Sequence, residues 1–107
     1  SIKVAMCYGR EDPWVVPLWG QRLKRVVTNA KYYELSPAGH CPHDEAPECV
    51  NAVIRSLIGE WFSTAEAASP PKSIDGVSIE LVDGSPRNVF EKLDYWKDRY
   101  LSSSAMM

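Results

Sequence analysis

The sequence carries only two histidines and three cysteines, and it has no run of about 18 consecutive apolar residues. That last absence excludes a membrane-spanning helix. Cys7, Cys41 and Cys49 are too few, and odd in number, for a disulfide framework, so reduced thiols in a reducing compartment are expected. No CxxC pair occurs. The formal charge of −2 gives no electrostatic case for a nucleic-acid partner. No basic n-region, signal or transit peptide is read at the start of the sequence, where apolar alternation begins at once through Ile2, Val4 and Met6. A chain that opens inside a buried strand, without Met, is expected to be truncated. No internal repeat is present. What remains is ordinary for one small domain: 107 residues, 45% apolar and 24% charged. The charges read as a solvated surface.

Periodicity places the elements. Residues 2–8 form a short apolar run ending at Gly9, as a buried strand of a parallel sheet does. Residues 9–17 are a loop punctuated by Pro13 and Pro17. A helix is expected over 18–27, with Trp19, Leu23, Val26 and Val27 on one side and Arg22, Lys24 and Arg25 mostly on the other. A second strand covers 32–35, and 36–47 is a loop carrying both histidines. The clearest element is a helix over 46–62. Val50, Val53, Ile54, Leu57, Ile58 and Trp61 make its apolar stripe, Pro47 suits its first position, and Glu48 suits its positive end. Residues 63–73, with Pro70-Pro71, read as a linker. Val77, Ile79 and Leu81 then alternate as a half-buried strand. Ser85-Pro86 opens a helix bearing Val89, Phe90, Leu93, Trp96, Lys97 and Tyr100. The expected division is 1–62, a linker 63–73, a strand–helix appendix 74–101 and a disordered tail 102–107. Alternating strands and helices argue an α/β class with a parallel sheet, whose function sits in loops beyond the strands' carboxyl ends.

Two loops lie there. The first reads Gly9-Arg10-Glu11-Asp12-Pro13-Trp14. A carboxylate just past a buried strand, held by a following proline, can orient a partner, although Asp-Pro is also common turn chemistry. The second runs from Ser36-Pro37-Ala38-Gly39-His40 through Cys41-Pro42-His43-Asp44-Glu45 to Glu48. Gly39 permits an unusual backbone angle before His40, which then projects at a strand end where a general base would stand. A structural, hydrogen-bonded histidine is the plainer alternative, and His43 and Glu45 fit the role of tying the loop down. A metal set drawn from His40, Cys41, His43, Asp44 and Cys49 has awkward spacing, so no metal is assigned. Trp14 and Trp19 could line an apolar channel, but core packing is the favoured reading.

Gly-x-x-Asp after one strand and Gly-His-x-x-His-x-Glu-x-Pro-Glu after the next resemble the end of the α/β-hydrolase fold. In that fold the triad order is Ser, then Asp or Glu, then His. The longer runs Gly9 to Trp14, Leu18-Trp19-Gly20-Gln21, Asn29-Ala30 and Tyr32-Tyr33-Glu34 through Glu45 look like plant and cyanobacterial enzymes of the pheophytinase and chlorophyll dephytylase type. The resemblance covers about residues 2–61. It implies the last two parallel strands of the fold and their helices, with Asp12 as triad acid and His40 as base. It further implies a serine ester hydrolase acting on an ester of a long apolar alcohol, such as the phytyl ester of chlorophyll or pheophytin, in the chloroplast, with no cofactor. The Gly-x-Ser-x-Gly nucleophile elbow does not occur in this sequence, and residues from Ser63 onward match no motif of the group. An epoxide hydrolase or dehalogenase of the same superfamily is the enzymatic alternative. A truncated, non-catalytic fragment is the other.

Overall fold

Tyr32, Tyr33, Glu34 and Leu35 are consecutive and all buried. A strand whose alternate side chains are all hidden has both faces covered, so it belongs in the middle of a sheet. The computed structural model describes residues 2–63 and 68–105, with the backbone alone for 101–105. Strands β1 (Ala5–Gly9), β2 (Lys31–Ser36), β3 (Ser73–Ile74) and β4 (Val77–Val82) form one sheet in the order β1-β2-β4-β3. Helix α1 (Pro17–Val26) links β1 to β2; α2 (Pro42–Glu45) and α3 (Pro47–Phe62) follow β2; and α4 (Val89–Ala105) follows β4. The class is mixed α/β.

β1 and β2 are parallel, with Ala5 opposite Lys31 and Gly9 opposite Leu35. β4 lies antiparallel on the other side of β2, from Tyr32 opposite Val82 to Ser36 opposite Ser78. The segment expected as an appendix therefore joins the sheet. Its hairpin had a signal that the sequence reading passed over: Asp75-Gly76 between Ile74 and Val77. Both turn residues take positive φ, 50° and 81°, as a two-residue type I′ connection requires. Of the expected linker, residues 64–67 lie outside the described residues. The final helix continues to Ala105, past the point where fraying was expected, and 106–107 lie outside the described residues.

One face of the sheet packs on α3. Tyr33, Leu35 and Ile79 meet Cys49, Val53 and Leu57 in the larger core cluster. The expected stripe is rotated: Ala52 and Ser56 are buried beside Val53 and Leu57, while Ile54 and Ile58 are exposed. Small side chains let the helix approach the sheet on that side. On the other face Met6, Ala30, Tyr32 and Val82 form a smaller cluster.

Helix α1 departs further from expectation. It buries Gly20 and Gln21 and exposes Trp19, Leu23 and Val26. Gly20 lies on the Tyr32 ring, where a Cβ would come within 2.7 Å, so glycine selects the contacting face. The expected core placement of Trp14 and Trp19 is overturned: they are 75% and 54% exposed. Polar pairs with α4 orient α1. Gln21 Nε2 donates to Glu91 Oε1 (3.1 Å), Arg22 Nε to Asp94 Oδ1 (3.0 Å), and Arg25 to Asp94 Oδ2 (3.0 Å).

A second polar network fastens the tail to the sheet. The Glu34 side chain is 0% exposed. It accepts from both terminal nitrogens of Arg87, at 3.0 and 2.8 Å, and from Arg10 Nε at 3.1 Å. The Tyr32 hydroxyl also donates to it. Arg87 reaches on to Glu91 at 2.9 Å. Burial alone would raise the Glu34 carboxyl, but the donors Arg87, Tyr32 and Arg10 outweigh it and hold the group below the usual carboxylate range. Asp94 is held low chiefly by hydrogen bonds from Arg22, against its own desolvation, with Arg25 adding to them.

Carboxyls depressed in the folded chain bind protons more readily when it unfolds. Their stabilisation is complete above the ordinary carboxylate range and is lost as pH falls through the folded values. Urea midpoints are expected to be level near neutrality and to fall steadily below about pH 4. A midpoint unchanged between pH 7 and pH 3 would contradict this account of Glu34 and Asp94.

Candidate active site

The two loops meet because β1 and β2 are adjacent and parallel, so both carboxyl ends open on the same edge. Arg10 N–H donates to Leu35 O at 2.8 Å, and Glu11 N–H to Ala38 O at 3.0 Å. The chains pass so closely at Gly9 that a Cβ would stand 2.1 Å from Gly39 O and 2.5 Å from Ala38 O. Any side chain there would push the loops apart.

Asp12 and His40 are brought together. Asp12 Oδ2 lies 2.9 Å from His40 Nδ1, with the aspartate side chain 5% exposed and the imidazole 41%. The other carboxylate oxygen accepts from Trp14 N–H at 2.8 Å and Val15 N–H at 3.0 Å. Burial would raise the Asp12 carboxyl. The Val15 N–H, the His40 ring and the Trp14 N–H more than offset it and keep the group below its ordinary range. An ionised carboxylate only accepts, so Nδ1 carries the proton that points at Asp12. Nε2 is then left as an acceptor, with no hydrogen bond among the described residues. The Trp14 ring stands edge-on to the imidazole, with centroids 4.9 Å apart.

Two further carboxylates hold the histidine loop. Glu11 accepts from Ser36 Oγ at 2.7 Å and from Ala38 N–H at 3.0 Å. Glu45, at the end of α2, accepts from Gly39 N–H at 3.1 Å and Cys41 N–H at 3.2 Å. It brackets His40 from both sides. Glu45 therefore ties the loop, as its position suggested, whereas His43 is exposed and its side chain makes no hydrogen bond among the described residues. Sequence reasoning passed over Glu11, whose partners lie 25 and 27 residues away. It also missed α2, although Pro42 followed by Asp44 and Glu45 is a helix-start pattern.

Cys49, grouped with the histidines as a potential ligand, lies on the core-facing side of α3. Among the described residues no cluster of three or more His, Cys, Asp or Glu is arranged to hold a metal ion. The ring hydrogen bonds of His40 among the described residues are confined to Asp12. A buried anion thus orients an imidazole whose other nitrogen makes no hydrogen bond among the described residues, an arrangement that acid–base chemistry can use.

No protein-family model matches the chain. No solved structure matches it either. Among curated proteins it is similar to the pheophytinase, chloroplastic, of Arabidopsis thaliana, with 59% identity over 70 residues. The match takes in 65% of this chain and 14% of that protein. The chain thus resembles a chloroplast pheophytinase, and it spans about a seventh of that relative's length.

Proposed function

We propose that this chain supplies the acid and the base of a Ser–Asp–His triad in an α/β-hydrolase, with the nucleophile in a part of the protein outside these 107 residues. The observation that carries the reading is the 2.9 Å contact between buried Asp12 and His40 Nδ1, which leaves Nε2 free at the carboxyl ends of two adjacent parallel strands. The similarity to pheophytinase supports the substrate class, a phytyl ester of a chlorophyll-type pigment, and residence in the chloroplast.

His40 Nε2 takes the serine proton as the hydroxyl oxygen attacks the ester carbonyl. The tetrahedral intermediate collapses, and His40 returns the proton to the departing alcohol. Water repeats the sequence and releases the acid. Asp12 keeps the imidazole in the Nδ1–H form and stabilises the imidazolium without itself being protonated. Its low-lying carboxyl suits that part, because a group that stays ionised leaves the proton on His40. The oxyanion hole would come from backbone N–H groups outside this chain. The products are phytol and the free pigment acid.

Purified alone, the 107-residue chain is expected to leave p-nitrophenyl esters and pheophytin intact. A longer protein with a Gly-x-Ser-x-Gly segment upstream is expected to cleave pheophytin. Turnover by the short chain that His40→Ala abolishes would overturn this division of the triad. An aspartate in the elbow would move the reaction to the epoxide hydrolase or dehalogenase class. A protein with no upstream nucleophile would make the chain a non-catalytic fragment.

A further inference from the structure

Helix α4 is amphipathic in the reverse of the usual sense. Val89, Leu93, Trp96 and Tyr100 recur at i, i+4, i+7 and i+11, the spacing of one helical stripe. All four are between 64% and 72% exposed. The acids lie on the opposite side and are used within the fold. Glu91 pairs with Arg87 and Gln21, Asp94 with Arg22 and Arg25, and Asp98 with Arg25 at 3.5 Å. The helix's three cations are all exposed. At 100° per residue, Lys92 and Arg99 border the stripe on one side and Lys97 borders it on the other, with Phe90 just beyond. Among the described residues none of the three cations faces a carboxylate. Arg99 donates to the Tyr95 hydroxyl and lies over the Tyr95 and Trp96 rings.

We propose that this outward face of α4 docks the protein on a lipid bilayer that bears anionic headgroups. An aliphatic and aromatic stripe with tryptophan and tyrosine, fringed by lysine and arginine and with every acid turned away, matches an interface of apolar chains beneath a negative surface. Arginine stacked on tryptophan and tyrosine supplies both headgroup charge and interfacial ring. A second copy of this chain fits the face less well. A two-fold contact along the stripe would set its cationic borders against cationic borders. With 17 residues, α4 is about 25 Å long and lies in the interface rather than crossing it. Docking gives a phytyl-ester hydrolase access to a substrate dissolved in lipid, but vesicle binding is read without hydrolysis and stands apart from that reading.

The test is co-sedimentation of the chain with vesicles of phosphatidylcholine containing 30% phosphatidylglycerol, set against pure phosphatidylcholine. Binding to the anionic vesicles is expected, weakening in high salt. Leu93→Asp with Trp96→Asp is expected to abolish it. Lys92→Glu with Lys97→Glu is expected to lower the partition constant by about tenfold or more. These side chains are exposed, so an unchanged urea midpoint checks that the fold is kept. The proposal is overturned by no binding to anionic vesicles, or by binding that both variants retain. It is also overturned by a dimer in buffer that the Leu93/Trp96 variant dissociates. Loss of binding in the longer protein would overturn it too, because the face would then be covered by the rest of the chain.

Discussion

Asp12→Asn, made in a protein that joins this chain to its nucleophile, is expected to lower kcat by about 10³- to 10⁴-fold with little change in KM. The amide preserves much of the local structure. Its oxygen can still accept from Trp14 and Val15 N–H, the contacts made by Asp12 Oδ1 at 2.8 and 3.0 Å. What changes is the atom facing His40. An amide nitrogen there donates where the carboxylate accepted, so the ring must give up its Nδ1 proton and hold it on Nε2. The nitrogen that should take the serine proton is then already protonated, and no carboxylate is hydrogen-bonded to the ring to stabilise an imidazolium. His40→Ala removes the base itself and is expected to fall at least as far. Urea midpoints and circular dichroism report the fold independently. Near-normal kcat in either variant would end the triad assignment.

The largest effect on stability is expected at Arg87. Arg87→Met keeps the aliphatic stem and removes both hydrogen bonds to Glu34, leaving a fully buried carboxylate with only Arg10 and Tyr32 as partners. Breaking a buried pair by deleting one member costs about 3–5 kcal/mol, and the remaining donors place this loss nearer about 3 kcal/mol. Against a typical total of about 5–15 kcal/mol, that is a large share of the fold. Glu34→Gln in the same background should recover part of the loss, because the uncompensated charge is gone. Urea denaturation of the four chains in the cycle measures this. A loss under about 1 kcal/mol would mean that water or Arg10 already satisfies Glu34.

How far the sequence could be read depended on how local each cause was. Helix α3 was visible to within one residue because its apolar period, Pro47 and Glu48 are all features of one segment. The orientations of α1 and α4 were not, because both helices turn their apolar stripes outward. The deciding contacts join Gln21 to Glu91 and Arg22 to Asp94, about 70 residues apart, and no periodicity reports such pairs. Gly20 added a steric preference that only the Tyr32 ring reveals. In the candidate site, Asp12 and His40 stood out because strand ends concentrate chemistry. Glu11 looked like one more surface acid, and its hold on the histidine loop appears only once β1 and β2 lie side by side.

Glu34 also has a bearing on how the chain is made. Synthesis runs from the N-terminus, so β2 leaves the ribosome 53 residues before Arg87. Until then only Arg10 and Tyr32 are available to its buried carboxylate. A stop codon anywhere before position 87 would fix the chain in that unfinished condition and present it to proteolytic quality control. The strand that leads to His40 therefore waits for its counter-charge until the chain has been made as far as Arg87.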